Sequence, residues 1–467
     1  MVPVAYLGIV AVGAAFSGAN PAFTEKELEY QIATLQPKVL LVHPTLLSTA
    51  KAAAAKAAVP GLQLYIFSDQ ETGSLEGFRD WRVILSTLEQ GERWHWRKLS
   101  PEESETTIAA INFSSGTTGL PKGVCASHFN VISNVKQISS LYDFDPSEKW
   151  AGFLPLYHAY GQCYAILIAT INQIPILIIS KFDFVDYLRI IQVHKITRLQ
   201  IVPPIMIMLA KRPETSGYDL SSVKEILCGA APLSRELEAR VSKKFNVRIT
   251  QGWGMTETTC AATGVPYYEN HRTGSVGILM PNTEVKLVTD DGQYAAIGES
   301  GELYVRGPQI AIGYWRNEQA TLDTFDPVGG WLRTGDVAVV STEGWMSITD
   351  RKKELIKVQA LQVAPAEIEA VLIEHPSIAD AGVVGITLED SEWPRAYVAL
   401  KEEETANVTE KEIQQWLDAR VAKHKRLVGG VAFVPEVPRL ASGKIQRRIM
   451  KEWAKRDAVV LSSRPKL

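Results

Sequence analysis

Ser114-Ser115-Gly116-Thr117-Thr118-Gly119-Leu120-Pro121-Lys122-Gly123 is the stretch on which the fold turns. It follows an apolar run, Thr107 to Phe113, whose composition predicts a strand. Three glycines let backbone amides approach an anion closely, four hydroxyls add donors, and Lys122 adds charge. A cluster of Ser, Gly and Thr is ordinarily a polar surface loop, but the strand before it and the lysine after it favour a phosphate cradle. The spacing is not that of a Walker A loop, because Pro121 precedes Lys122 and Gly123 follows it.

Working outward, apolar runs at Lys38 to Val42, Leu64 to Phe67, Arg198 to Val202 and Ser222 to Cys228 alternate with helix-period stretches such as Ser234 to Phe245. That alternation predicts parallel strands joined by crossover helices. From about Gly274 to Thr349 the turn signals Asp291-Gly292, Glu299-Ser300-Gly301 and Glu343-Gly344 predict antiparallel hairpins. A third regime begins near Asp350, with a helix that has Pro365 in its first turn and Ile368, Val371 and Leu372 on one face. The fold class expected is α/β: an N-terminal domain over 1–349 with a β-rich subdomain at 274–349, then a small mobile α+β domain over 350–467, with a hinge near Asp350.

Composition narrows the function. With 49 Lys and Arg against 52 Asp and Glu, the net charge is -3, which argues against a nucleic-acid partner. Cys125, Cys163, Cys228 and Cys260 form no C-x-x-C pair, so a disulfide framework or zinc site is not expected and a reducing compartment fits. The apolar stretch Tyr164 to Ile179 is interrupted by Asn172, Gln173 and Pro175, and predicts buried core rather than a membrane span. The apolar N-terminal run lacks the basic flank of a signal peptide. The C-terminal Pro465-Lys466-Leu467 lies close to a peroxisomal tripeptide; otherwise the expected location is cytoplasmic.

Further motifs carry chemistry. Gln251-Gly252-Trp253-Gly254-Met255-Thr256-Glu257 places an aromatic face between two glycines, a hydroxyl for phosphate and a carboxylate for Mg²⁺. Trp331 to Asp336 sets a carboxylate after a predicted turn, where it could accept from ribose hydroxyls. Pro438-Arg439-Leu440-Ala441-Ser442-Gly443-Lys444 puts a lysine on a small-residue loop.

In this order and spacing, the four motifs resemble the superfamily of adenylate-forming enzymes that includes acyl-CoA synthetases, 4-coumarate-CoA ligases and luciferases. The likeness extends to Tyr157-His158-Ala159-Tyr160 and Gly229-Ala230-Ala231. It implies an acid-CoA ligase, AMP-forming, that uses ATP, Mg²⁺ and coenzyme A on a small carboxylic acid, an aryl-propenoic or fatty acid, as a monomer. By resemblance Ser114, Ser115, Gly116, Thr117, Thr118, Gly119 and Lys122 grip the pyrophosphate half of ATP. Gly229, Ala230, Ala231, Gln251, Gly252, Trp253 and Gly254 enclose the nucleotide, and Asp336 and Arg351 take the ribose. Thr256 and the metal-binding Glu257 serve the α-phosphate, and Lys444 bridges carboxylate and phosphate. Tyr157, His158, Tyr160, Gly229, Cys260 and Ala261 line the acyl pocket. Lys357 and Gln362 match positions used around both steps, and Gln359 and Ala360 stand at the CoA entrance, where 4-coumarate-CoA ligases have Lys-Gly. Trp253 replaces their usual Tyr.

The resemblance also implies that about eighty family residues are missing before Pro3. The alternatives are adenylation without efficient CoA transfer, as in luciferase-like or carrier-loading enzymes, and a truncated non-catalytic relative.

Overall fold

A computed structural model describes residues 1–114, 120–231, 233–269, 274–358, 361–388, 391–401, 408–440 and 443–462. Ser115 to Gly119, Gln359, Ala360 and Pro465 to Leu467 lie outside the described residues.

The body is organised by a five-stranded parallel sheet in the order Arg248–Gln251, Glu225–Cys228, Arg198–Ile201, Trp150–Gly152, Ile176–Ile178. Its central strands are buried along their whole length, as a parallel sheet covered on both faces requires. The crossover helices start at side-chain caps, Asp183 for Phe184–His194 and Ser234 for Arg235–Phe245. Tyr187, Leu188 and Ile191 of the first helix and Leu237 and Val241 of the second pack with Leu199, Ile201 and Ile226 in one core.

Strand Ile108–Ser114 belongs to a separate sheet and runs antiparallel to Lys122–Ser127, with Ser114 opposite Lys122. The proposed phosphate loop therefore bridges two paired strands rather than leading from a strand into a helix. The run Tyr164 to Ile179 is core only in its first half: Tyr164 to Ala169 and Ile174 pack inward, as expected, but Ile171 is exposed at the end of the helix and Leu177 and Ile178 are exposed on the edge strand Ile176–Ile178. No helix among the described residues is long and apolar enough to cross a membrane.

Residues 274–349 contribute to an antiparallel sheet ordered Glu284–Val288, Gly301–Arg306, Leu332–Val340, Met346–Arg351. Here one expectation is corrected. Asp336 does not follow a turn but lies inside a nine-residue strand: Gly301–Arg306 pairs with that strand on either side of Gly335, at Arg333 and Val337, and Met346–Arg351 pairs with it from Asp336 onward. Gly335 takes φ +72°, and the register with Gly301–Arg306 shifts between Glu302 and Tyr304, across the interval that holds Gly335, so the turn signal became a local irregularity within the sheet.

Beyond Asp350 the chain builds a core of its own from Ile356, Val363, Ile368, Leu372, Val383, Val398, Ile413 and Leu427. Helix Pro365–Glu374 starts on proline and buries Ile368 and Leu372, as its spacing predicts. Asp350 joins the two parts: its carboxylate accepts from the amides of Arg351 (2.6 Å) and Ala366 (3.3 Å), the latter in that helix's first turn. Burial raises its pKa to about 6, against the pull of Arg447 and the two amides.

Candidate active site

Open parallel sheets bind ligands beyond the carboxyl ends of their strands. Three strands of this sheet feed a pocket there. Gly152 leads to His158, Ala159 and Tyr160, Cys228 leads to Gly229 and Ala230, and Gln251 leads to Gly252 through Thr256. Cys260, Ala261 and Thr263 close one side, and Lys444 enters from the C-terminal part of the chain. The space is about 590 Å³, open solvent at the mouth included.

Glycine is required at the bend of this loop. A Cβ on Gly254 would lie 2.6 Å from Cα of Ala261 and closer still to the Cys260 carbonyl, so the backbone approaches itself as no other residue allows. Trp253 is buried, and its indole N–H donates to Asp336 Oδ2 at 2.8 Å. Asp336 Oδ1 faces Arg351 Nε at 3.1 Å, and the two residues are cross-strand partners. The tryptophan is thus fixed by a carboxylate that a guanidinium holds in turn. Glu257, also buried, accepts the Tyr314 hydroxyl at 2.8 Å, and Lys122 Nζ sits 4.8 Å over the same tyrosine ring. One aromatic therefore links the phosphate-loop lysine to the candidate metal carboxylate.

Lys444 arrives on a tight turn. Gly443 takes φ +81° and donates to the Leu440 carbonyl, and Leu440 donates to that of Lys444, both at 2.8 Å. Arg439 braces the turn, donating to the Gly443 carbonyl at 2.7 Å while its guanidinium binds both oxygens of Asp380 at 2.8 Å. Burial and Arg351 draw the Lys444 ammonium down to about 8, although Asp336, Glu257 and Glu354 pull the other way. His158 is held neutral, near 4, by burial and by Lys444. Its Nδ1 accepts from the Tyr160 amide at 3.3 Å, which leaves Nε2 as the donor.

Of the residues named from sequence, His158, Tyr160, Gly229, Ala230, Gly252, Trp253, Gly254, Thr256, Cys260, Ala261 and Lys444 line one pocket. Asp336 and Arg351 reach it through Trp253. Others stand apart from its wall. Gln251 donates to Glu238 at 2.8 Å inside the core. Tyr157 packs near Gly18, where an added Cβ would meet it at 2.7 Å. Ala231 is absent from the lining. Lys357 and Gln362 are cross-strand partners on a small hairpin, both exposed, and Gln362 donates to Asp290 at 3.0 Å. Sequence reasoning missed Tyr142, Tyr164, Leu227 and Met255 of the lining. Tyr164 sits in the π-helix Gln162–Ile168, whose extra residue per turn shifts which side chains face inward.

The strand ends of the body form a glycine-lined pocket that is completed by a lysine from the C-terminal part of the chain, the two-part arrangement of an AMP-binding enzyme. The AMP-binding enzyme family matches residues 1–315, and the AMP-binding enzyme C-terminal domain matches residues 367–444, so the chain belongs to this family. It is 38% identical over 466 residues to the phenylacetyl-CoA ligase epaB of Aspergillus niger, covering 97% of this chain and 84% of that protein. It is 36% identical over 457 residues to "Probable 4-coumarate–CoA ligase 2" of Dictyostelium discoideum, covering 95% and 82% respectively. Among solved structures, ATP-bound MatB from Rhodopseudomonas palustris superposes with a TM-score of 0.84 at 26% identity, covering 98% of this chain and 87% of that one.

Proposed function

We propose that the protein is an AMP-forming acid-CoA ligase. The carboxylate oxygen attacks the α-phosphorus of ATP and expels pyrophosphate; the thiol of coenzyme A then attacks the acyl carbon and expels AMP, giving up its proton. The single observation that carries this reading is Lys444, a half-buried cation brought from a distant part of the chain into the pocket that holds Thr256 and His158. Lys444 bridges the attacking carboxylate and the α-phosphate, Thr256 donates to that phosphate, and the loop from Ser114 to Lys122 takes the pyrophosphate. Trp253 and Gly254 wall the adenine, and Asp336 and Arg351 face the ribose.

Glu257 fits Mg²⁺: the ion needs few protein ligands when phosphates and waters supply the rest, and the hydrogen bond to Tyr314 engages Oε1. When bound, the ion would neutralise charge on the departing pyrophosphate. For the second step the small domain, 350–467, turns about Asp350 and brings Lys357 and Gln362 inward, with Gln359 and Ala360 at the CoA entrance.

The acid is an aryl-propenoic or related aryl acid. The pocket wall of Tyr142, Tyr160, Tyr164, Leu227 and Ala261 suits an uncharged ring, and ligases of phenylacetate and 4-coumarate are among the relatives. A monomer in secondary metabolism, with a peroxisomal address at Pro465-Lys466-Leu467, completes the proposal. Incubation with ATP, Mg²⁺, coenzyme A and a panel of acids, with acyl-AMP and acyl-CoA detected separately by mass, tests it. Both products are expected with aryl-propenoates. Absence of pyrophosphate with every acid would refute the reading, and acyl-AMP without thioester would implicate Gln359 and Ala360.

The charge on Lys444 also sets a pH limit. Its pKa in the free protein is about 8, and the protonated form is the useful one. We therefore expect kcat/KM for adenylate formation to fall as pH rises through about 8, since this ratio reports free-enzyme ionisations. A profile flat to pH 10 would contradict the role.

A further inference from the structure

Helix Pro203–Lys211 follows strand Arg198–Ile201 of the parallel sheet and touches the C-terminal part of the chain at both of its ends. At its start, the Cβ position of Gly443 lies 3.1 Å from Val202 and 3.3 Å from Pro204, so the turn bearing Lys444 rests on the helix N-terminus. At its end, Lys211 Nζ donates to the carbonyls of Ile373 and Ile378, each at 2.6 Å. Ile373 lies in the last turn of helix Pro365–Glu374, where carbonyls lack intrahelical partners and the dipole favours a cation. Ile378 opens strand Ile378–Leu388.

The lysine is half-buried, and this position is costly for a cation. Burial, Lys401 and Arg240 all lower its pKa, with only Asp380 among the named groups opposing them. Two carbonyls of the small domain offset that cost. Both are engaged in the placement that brings Lys444 into the pocket.

We propose that Lys211 is a latch: a positioning residue that holds the C-terminal domain in its adenylate-forming placement and lets go before thioester formation. This rests on the two-step reading given above. The latch and the lysine turn grip opposite ends of one nine-residue helix, about 13 Å apart at 1.5 Å per residue, and two separated contacts fix an orientation that one would leave free.

Lys211→Met removes the charge and both donors but keeps the apolar stem. Acid-dependent ATP–pyrophosphate exchange is expected to fall about tenfold, the scale set by losing charge-assisted hydrogen bonds. Thioester formation from supplied acyl-AMP and coenzyme A should hold or rise, and Lys211→Arg, which can still donate twice, should recover most of the exchange. Equal loss in both half-reactions would mean a merely structural role and would overturn the proposal, as would unchanged exchange.

A second readout needs no turnover: trypsin should cut after exposed Lys352 and Lys353 faster in Lys211→Met than in wild type or Lys211→Arg. An unchanged cleavage rate overturns the latch. Wild-type protein without exchange would instead refute the ligase reading, and the cleavage comparison would still decide the latch.

Discussion

Replacing Lys444 by alanine is expected to slow adenylate formation by about three powers of ten, while thioester formation from supplied acyl-AMP stays close to wild type. The magnitude follows from charge: a unit pair at about 4 Å in an effective dielectric of about 20 is worth ~4 kcal/mol, and each 1.36 kcal/mol is tenfold in rate. The asymmetry follows from geometry. Lys444 lines the pocket, whereas Lys357 and Gln362 sit exposed on a hairpin outside it, so of these three only Lys444 reaches the pocket in this placement of the domain. Because Arg439 and Gly443 set the turn through backbone contacts and the Asp380 pair, truncating Lys444 leaves its frame intact. Single-turnover measurement of each half-reaction checks the claim. Equal loss in both would show that Lys444 acts in something common to the two steps.

Much of this arrangement was legible in the residues. Buried parallel strands announced themselves as β-branched runs between helix-period stretches, and Trp253 between Gly252 and Gly254 marked a loop that lines the pocket. What was not legible depended on direction. Gly335 reads as a turn in isolation, yet pairing with Gly301–Arg306 before and after it keeps it within a strand as a local irregularity. Tyr142 ends a helix and Tyr164 lies in a π-helix, so neither its neighbours nor a helical period could say that each faces the ligand space. Lys211 pairs with carbonyls more than 160 residues away, and a backbone acceptor has no signature in sequence.

Asp336→Ala is the second substitution with a large expected effect, and it acts on stability and nucleotide binding together. The carboxylate is buried and joins two donors, the Trp253 indole at 2.8 Å and Arg351 Nε at 3.1 Å. Its removal leaves a buried indole N–H without that acceptor and a guanidinium without that counter-charge. Breaking a buried pair from one side costs 3 to 5 kcal/mol as a rule, and the Arg351 side chain is 31% exposed, so water offsets part of the loss and about 3 kcal/mol is expected. Asp336→Asn keeps an acceptor for the indole but not the charge, and should cost less. Trp253→Phe removes the indole donor together with ring volume from a buried cluster, and should cost about 2 kcal/mol. Urea unfolding followed by tryptophan fluorescence and titration with ATP distinguish the outcomes. If the three residues act as one unit, Asp336→Ala combined with Trp253→Phe will destabilise by less than the sum of the two, because the second change finds its partner already gone. A strictly additive pair, or an Asp336→Ala protein that binds ATP as wild type does, would mean that Trp253 is held in place by something other than this carboxylate.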